Sequence, residues 1–135
     1  MTCLAEINCS STANTEVVPS YILDSDICIV PHDVSDFINS TIPNKLFDYM
    51  ACKKPVIASD AAPFKRIFEE TDCGLIFKSK DISDFADKVV QLADPVLRKK
   101  MGANGFKAIA SKYNWEHDSR VLQGIIKNIF VTGPP

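Results

Sequence analysis

The chain has 135 residues, 46% of them hydrophobic and 24% charged, which suits one domain with a single core. Its formal net charge is −2 at pH 7, and Lys and Arg are scattered among Asp and Glu, which argues against nucleic acid as a partner. Because the chain shows no signal peptide and no apolar run of about 18 residues, we expect a cytoplasmic protein with at most peripheral membrane association.

The first predicted elements are a strand and a helix joined by a polar loop. Residues 1–15 lack periodicity, and we expect an irregular or disordered terminus. SDICIVP (25–31) is an apolar run closed by proline, which is typical of a strand buried on both faces. In TIPNKLFDYMAC the apolar residues recur at helical spacing, Thr41 is a candidate cap, and Pro43 fits a first turn.

Two further strand and helix units follow. PVIAS (55–59) predicts a second strand, and residues 60–70 predict a short helix capped by Asp60. GLIF (74–77) predicts a third strand, and DISDFADKVVQLAD predicts a helix with one apolar face. That face consists of Ile82, Phe85, Ala86, Val89, Val90 and Ala93.

Two helices complete the predicted domain, which spans residues 16–130 and leaves 131–135 as a tail. DPVLRKKMGANGFKAIASKY begins with an Asp-Pro cap, and Gly102 and Gly105 predict a bend or a split. NWEHDSRVLQGIIKNIF predicts the last helix, with Trp115 as a core anchor. Its apolar stripe continues through Val121, Leu122, Ile125, Ile126 and Ile129.

Alternating strands and helices predict an α/β fold with a parallel, Rossmann-like sheet and flanking helices. Ligands of such sheets bind at the carboxyl ends of the strands, where helices begin. The helix from about Thr41 would turn its unpaired N–H groups and positive dipole end toward that edge, and phosphate is the anion most often bound there.

Asp48 is the acidic residue of this helix, and we place it on the apolar face. It lies about 10 Å along the axis from Thr41, so it would sit beside a phosphate and could accept hydrogen bonds from the paired hydroxyls of a ribose. Lys45 could add a positive charge near a diphosphate. The alternative is a partly exposed Asp48 that forms a weak local ion pair with a solvated Lys45.

The blocks SDICIVP, PNKLFDYMACKKPVIAS, CGLIF and MGANGFKAIASKYNW resemble the carboxyl-terminal half of glycosyltransferase family 4 over about residues 16–130. The resemblance implies the second half of a GT-B fold, truncated at its amino end. It also implies a retaining glycosyltransferase that uses a nucleotide-diphosphate sugar in polysaccharide or lipopolysaccharide biosynthesis. We expect the isolated chain to be inactive, because the amino-terminal GT-B half contributes the acceptor site.

In that family a Glu-x7-Glu pattern faces the donor. The resemblance implies that Asp48 takes the position of the second acid, which holds the ribose. Ser40 replaces the first acid, which contacts the donor sugar, and can form a hydrogen bond there but carries no charge. Lys45 is implied at the diphosphate, and Thr41 and Asn44 complete the predicted nucleotide-sugar-binding set. No residue of this chain is assigned a catalytic role.

Other departures from the family concern loops. Lys53 stands where the family has glycine, and a left-handed backbone there would cost lysine roughly 1 kcal/mol relative to glycine. SDAAPFKRI replaces a glycine-rich turn by a stiffer one. His32 and Asp33, at the end of the first strand, fit either an acid–base pair near a donor or an ordinary surface loop.

The remaining predictions are negative or concern partners. The five cysteines are odd in number and lack CxxC spacing, so we expect no disulfide and no zinc, with Cys28, Cys52 and Cys73 as reduced, buried side chains. We expect no metal and no other cofactor. The competing function is a noncatalytic module that binds a sugar nucleotide or docks on an amino-terminal half. A receiver-like or flavodoxin-like domain is a third option.

Overall fold

The structure, a computed structural model, describes residues 18–132, which form a parallel sheet with helices on both sides. The predicted terminus 1–15 lies outside the described residues, as do residues 133–135 of the predicted tail. In chain order the elements are α1 (Val18–Asp24), β1 (Cys28–Val30), α2 (Asp36–Asn39), α3 (Asn44–Ala51), β2 (Val56–Ser59), α4 (Ala62–Thr71), β3 (Gly74–Phe77), α5 (Ile82–Gln91), α6 (Pro95–Ser111) and α7 (Trp115–Thr132).

The strands lie in the order β1-β2-β3, and both neighbouring pairs are parallel. The predicted α/β class is therefore confirmed. Ile57 of the central strand β2 lies opposite Ile29, and Ser59 lies opposite Phe77. All of β2 is buried, but Ile29 on the edge strand β1 is 38% exposed. The prediction that the first strand is buried on both faces is thus wrong at Ile29, since nothing among the described residues covers it completely.

Helices α3, α4 and α6 cover one face of the sheet. Alternate residues of a strand point to opposite faces, so Val56 and Ala58 of β2 share this face. They pack into a cluster in which each fully buried large side chain stabilises the fold by roughly 1.5–3 kcal/mol. The cluster consists of Val30, Leu46, Met50, Val56, Ala58, Ala61, Phe64, Ile67, Phe68 and Cys73.

The opposite face is covered by α5 and the first turns of α6. Phe77 and Phe85 meet edge to face there, with ring centroids 5.2 Å apart. The apolar face predicted for this helix is only partly buried, because Ile82 and Val90 are 84% and 72% exposed. The buried members of this second cluster are Ile57, Phe77, Leu92 and Met101.

Helix α6 is continuous over 17 residues, so a split at its glycines is wrong, while a bend there stays a prediction. The glycines instead permit close packing. A Cβ atom at Gly102 would lie 2.0 Å from the carbonyl oxygen of Lys53, and one at Gly105 would lie 3.2 Å from Cγ of Met50. Lys53 itself has φ 58°, which confirms the left-handed backbone considered for it. The Asp94 cap is also confirmed, since its side chain accepts the N–H of Val96.

Helix α7 is exposed along most of its length. Its predicted stripe, from Val121 to Ile129, has side chains between 42% and 61% exposed. Trp115 is 72% exposed, so the prediction that it anchors the core is wrong. Within residues 18–132, no helix combines the length and hydropathy needed to cross a bilayer.

Candidate functional site

The loops at the carboxyl edge of the sheet are joined at Ser79. This residue follows β3, and its N–H donates to Oδ1 of Asp60, after β2, at 2.9 Å. Its Oγ accepts the N–H of Val34, after β1, at 3.5 Å. The prediction that Asp60 caps α4 is wrong, because Ala61 holds the cap position and Asp60 is used here instead. The loops after all three strands therefore form one hydrogen-bonded rim.

The amino terminus of α4 is satisfied from within the protein. The loop after β1 contains the short helix α2, which begins where Oγ of Ser35 accepts the N–H of Ile38. Helix α2 ends at Asn39, whose Oδ1 accepts the N–H of Ala62 at 3.1 Å. This side chain takes the place that an anion would occupy at a helix start.

The amino terminus of α3 differs, because no side chain caps it. The helix begins at Asn44 with Pro43 in the cap position, where no side-chain hydrogen bond forms. The prediction that Thr41 caps it is therefore wrong. Because α3 connects two parallel strands, it runs back across the sheet and its first turn lies at the carboxyl edge. Its first N–H groups and positive dipole end are suited to an anion.

Asp48 lies on the exposed side of α3. The buried residues of this helix are Leu46 and Met50, so the prediction that Asp48 shares their face is wrong. Its Cα is about 7–8 Å along the axis from Pro43. Its carboxylate makes no hydrogen bond or ion pair with any described residue, so the ion pair with Lys45 does not form. Asp48 thus keeps its full capacity to accept hydrogen bonds.

The other predicted site residues divide into two groups. Asn44, Lys45 and Asp48 lie within about 100° of one another around α3, because successive helical residues are rotated by about 100°. Ser40 and Thr41 lie in the connection ahead of the helix, and Oγ of Ser40 donates to a main-chain carbonyl of α2 at 2.8 Å. The structure therefore brings three of the five residues to one side of α3.

His32 lies in the loop after β1, at the carboxyl edge of the sheet. Its imidazole is half-buried, and partial burial followed by the positive charge of Lys45 lowers the pKa of His32. His32 also borders a depression of about 210 Å³ beside β1 and β3. The depression is lined by Pro31, His32, Asp33, Phe77, Ser79, Lys80, Asp81, Ile82 and Phe85. Neither Lys45 nor Asp48 lines it.

Two cysteines of the described residues belong to the buried core. Cys28 and Cys73 are buried free thiols, as predicted, and burial raises the pKa of Cys28 to about 11. Cys52 is a free thiol that is only half-buried, and Cys3 and Cys9 lie outside the described residues. In the described part of the chain, no three His, Cys, Asp or Glu side chains come together as a metal site.

Comparison with protein families gives a match over most of this fold. A family model described as glycosyl transferases group 1 matches residues 5–94, about two thirds of the chain. An uncharacterized glycosyltransferase from Methanocaldococcus jannaschii is 35% identical over 68 residues, which are 50% of this chain and 19% of that protein. A phosphatidyl-myo-inositol mannosyltransferase from Mycobacterium leprae is 28% identical over 89 residues, which are 65% of this chain and 24% of that protein.

Solved structures share the fold. The carboxyl-terminal domain of a glycosyl transferase group 1 family protein from Francisella tularensis superposes with a TM-score of 0.63 at 28% identity, covering 77% of this chain and 51% of that one. Sucrose-phosphate synthase from Thermosynechococcus elongatus gives a TM-score of 0.75 at 23% identity, covering 90% of this chain and 30% of that one. The chain thus spans about a quarter or less of these curated relatives, and 30% and 51% of the two solved chains.

Proposed function

Because this chain belongs to the family of glycosyl transferases group 1, we propose that it binds the nucleotide-diphosphate sugar donor of a retaining glycosyl transfer reaction. The observation that carries the proposal is the uncapped amino terminus of α3 at the carboxyl edge, with Lys45 in its first turn and an unpaired Asp48 carboxylate one turn further on. This pairing of a site for an anion with a neighbouring acceptor matches the order of diphosphate and ribose in such a donor.

Each residue has a chemical role in the proposal. The diphosphate lies at the first N–H groups of α3, and Lys45 adds a point charge to it. Asp48 accepts hydrogen bonds from the ribose hydroxyls. Asn44 and Thr41 border the diphosphate, and Ser40, although its hydroxyl donates within α2, still has lone pairs to accept a hydrogen bond from a donor sugar.

The wider role extends this proposal. By its name, the Mycobacterium leprae relative transfers mannose to phosphatidyl-myo-inositol. For the present chain we propose a role in polysaccharide or lipopolysaccharide biosynthesis in the cytoplasm. The acceptor site belongs to an amino-terminal GT-B half, so the 135-residue chain by itself binds donor without transferring sugar. Acceptor-dependent turnover by the isolated chain would contradict this part of the proposal.

Calorimetry of the 135-residue chain with uridine and guanosine diphosphate-sugars tests donor binding. Asp48→Ala is expected to weaken binding at least roughly tenfold, because it removes charge-assisted hydrogen bonds. The matched control is Asp87→Ala, another exposed aspartate in the middle of a helix, here α5, which should bind like the wild type. The proposal fails if no nucleotide sugar binds, or if both variants bind equally well.

A second candidate function, docking on an amino-terminal half, is favoured by the exposed stripe of α7. A long exposed apolar stripe is unusual on a monomer and commonly marks a surface that binds another protein. Replacing Ile125 and Ile129 by Glu should abolish co-sedimentation with a group 1 amino-terminal domain supplied as a separate chain while leaving donor binding intact. Co-sedimentation that survives this double substitution would remove the docking function.

A further inference from the structure

Helices α3 and α4 both begin at the carboxyl edge, but the main-chain donors of α4 are all in use. Ala62 donates its N–H to Oδ1 of Asn39 at 3.1 Å, and Pro63 has no N–H to donate. The next two N–H groups along the helix donate to the carbonyl oxygen of Ala61, each at 3.1 Å. The start of α4 is therefore closed to an anion.

The start of α3 has donors to spare. Asn44 and Lys45 donate their main-chain N–H groups to no described residue, and the N–H of Leu46 donates back to the carbonyl oxygen of Pro43 at 3.1 Å. The proposed function places the diphosphate at these first N–H groups. Whatever keeps them open therefore contributes to the affinity of the site.

Asn39 holds the chain just ahead of α3. Residues 33–42 form two hydrogen bonds with the rest of the described chain, and their other hydrogen bonds lie within α2 and its caps. One joins the N–H of Val34 to Oγ of Ser79 at 3.5 Å. The other is the bond of Asn39 to α4, which is shorter, at 3.1 Å. Only residues 40–43 separate this second bond from the start of α3.

The connection to α3 carries acceptors that compete with a ligand. Asn39, Ser40 and Thr41 have side-chain oxygens of the kind that cap helices, and they precede α3 by a few residues. In the structure none of them caps α3, because no side-chain hydrogen bond forms at its start. Once the bond to α4 is broken, the connection is free to fold back and cap α3 itself, and an anion would have to displace it.

We propose that Asn39 is a positioning residue of the donor site, whose bond to Ala62 fixes residues 40–43 and so keeps the first N–H groups of α3 open to the diphosphate. The inference rests on the proposed function of α3. Asn39 acts without contacting the ligand, because its amide oxygen is engaged at α4. Molecules in which the bond is broken bind poorly, so the observed affinity falls with the fraction that keeps it.

Calorimetry tests Asn39 with whichever uridine or guanosine diphosphate-sugar binds the wild type more tightly. Asn39→Ala removes the acceptor and should weaken binding at least roughly threefold. The matched control is Asp94→Ala, which removes the side chain that accepts the N–H of Val96 at the start of α6. Each variant loses one bond at a helix start, so urea denaturation should show similar losses of stability. Asp94→Ala should nevertheless bind like the wild type.

Ala62→Pro breaks the same bond from the other side without weakening α4. Proline lacks the N–H but fits a first helical turn, and Ala61 ahead of it already has the extended backbone that proline favours, with φ −65° and ψ 145°. Ala62 is exposed, so the ring does not enter the core. We expect the same loss of affinity as in Asn39→Ala. Ala62→Ser keeps the N–H at this position and should bind like the wild type.

Binding rates separate positioning from a general loosening of the site. A smaller binding-competent fraction lowers the association rate constant and leaves the dissociation rate constant unchanged, whereas a loosened site releases its ligand faster. Line shapes of ¹⁵N amide resonances during the titration give both constants. The inference alone is overturned if Asn39→Ala or Ala62→Pro binds like the wild type, or if only dissociation changes. Absence of binding by the wild type would overturn the proposed function and this inference together.

Discussion

Helices α6 and α7 follow each other in the chain, and their burial is the opposite of what their apolar patterns predict. Helix α6 has no regular apolar stripe and two glycines, yet Met101, Gly102 and Gly105 are buried. Helix α7 has a regular apolar stripe, yet its side chains from Val121 to Phe130 are exposed. Periodicity correctly indicates that both are helices, but it does not indicate what they pack against.

The difference arises from the surface that each helix meets. Helix α6 approaches the backbone at Lys53 so closely that only glycine fits at residue 102. Helix α7 meets little of the described fold, and a Cβ atom added at Gly124 would lie in open space, with no contact within 4 Å. In α6 the small residues thus lie at a tight contact, whereas in α7 the large apolar residues lie on a surface that the described fold leaves exposed.

The largest effect should come from filling the contact of α6. Gly102→Val places side-chain carbons against the backbone of Lys53, so α3 and α6 must separate, and we expect a loss of at least about 3 kcal/mol in the free energy of unfolding. Urea denaturation measures it. Gly124→Ala on α7 is the control and should gain roughly 0.5–1 kcal/mol. Equal midpoints for the two variants would break the comparison.

A smaller effect should follow from truncating one side chain on each helix. Met101→Ala on α6 removes a side chain that is 5% exposed and should cost about 2–3 kcal/mol. Leu122→Ala on α7, where the side chain is 49% exposed, should change stability by about 0.5 kcal/mol or less. The urea denaturation midpoints of the two variants measure this difference in stability. A cost for Leu122→Ala that matches that of Met101→Ala would mean that α7 packs more firmly than described.

Lys53→Gly tests the contact between the side chain of Lys53 and Phe106 of α6. Glycine removes a left-handed penalty of about 1 kcal/mol, but the Lys53 ammonium lies 4.6 Å from the ring centroid of Phe106 on α6, a contact worth about 0.5–1 kcal/mol. The two terms nearly cancel. Lys80→Gly, at φ 66° and with no aromatic ring under its ammonium among the described residues, should gain the full amount in thermal denaturation. A larger gain for Lys53→Gly than for Lys80→Gly would contradict the ring contact.

The smallest effect concerns the end of α6. Hydrogen bonds from Lys112 and Tyr113 lower the pKa of Glu70, so the ionised carboxylate favours the folded state. This stabilisation is present above the ordinary carboxyl pKa and is lost as the pH falls through the lowered value. Glu70→Gln should therefore flatten the fall of the melting temperature below about pH 4.5. Glu69→Gln is the control, and identical acid profiles of the two variants would refute the contribution.

Much of the fold follows from the sequence. The three strands and the helices from residue 44 onward are predicted to within a few residues, because buried strands and amphipathic helices leave local patterns. The short helices α1 and α2 are not predicted, since each is at most two turns long. The errors at Gly102, Gly105 and Trp115 share one cause, because each depends on contacts between distant parts of the chain.

The candidate site was predictable only in part. Lys45 and Asp48 stand out through their place on the helix and through the family resemblance. The hydrogen bonds of Ser79 with Asp60 and Val34 connect residues 19 and 45 positions apart, and no local pattern predicts such pairs. The sequence does place a polar residue soon after every strand, which indicates a polar edge. It does not show which of these residues form hydrogen bonds with one another.

The junction at Ser79 has a consequence for the kinetics of association. Since Ser79, after β3, bonds to the loops after β1 and β2, closure of any one of these loops alone over an entering molecule would break a hydrogen bond. A ligand therefore meets an edge whose conformational entropy has already been lost during folding. Binding at this edge is expected to show a single fast phase, without a slow rearrangement after encounter.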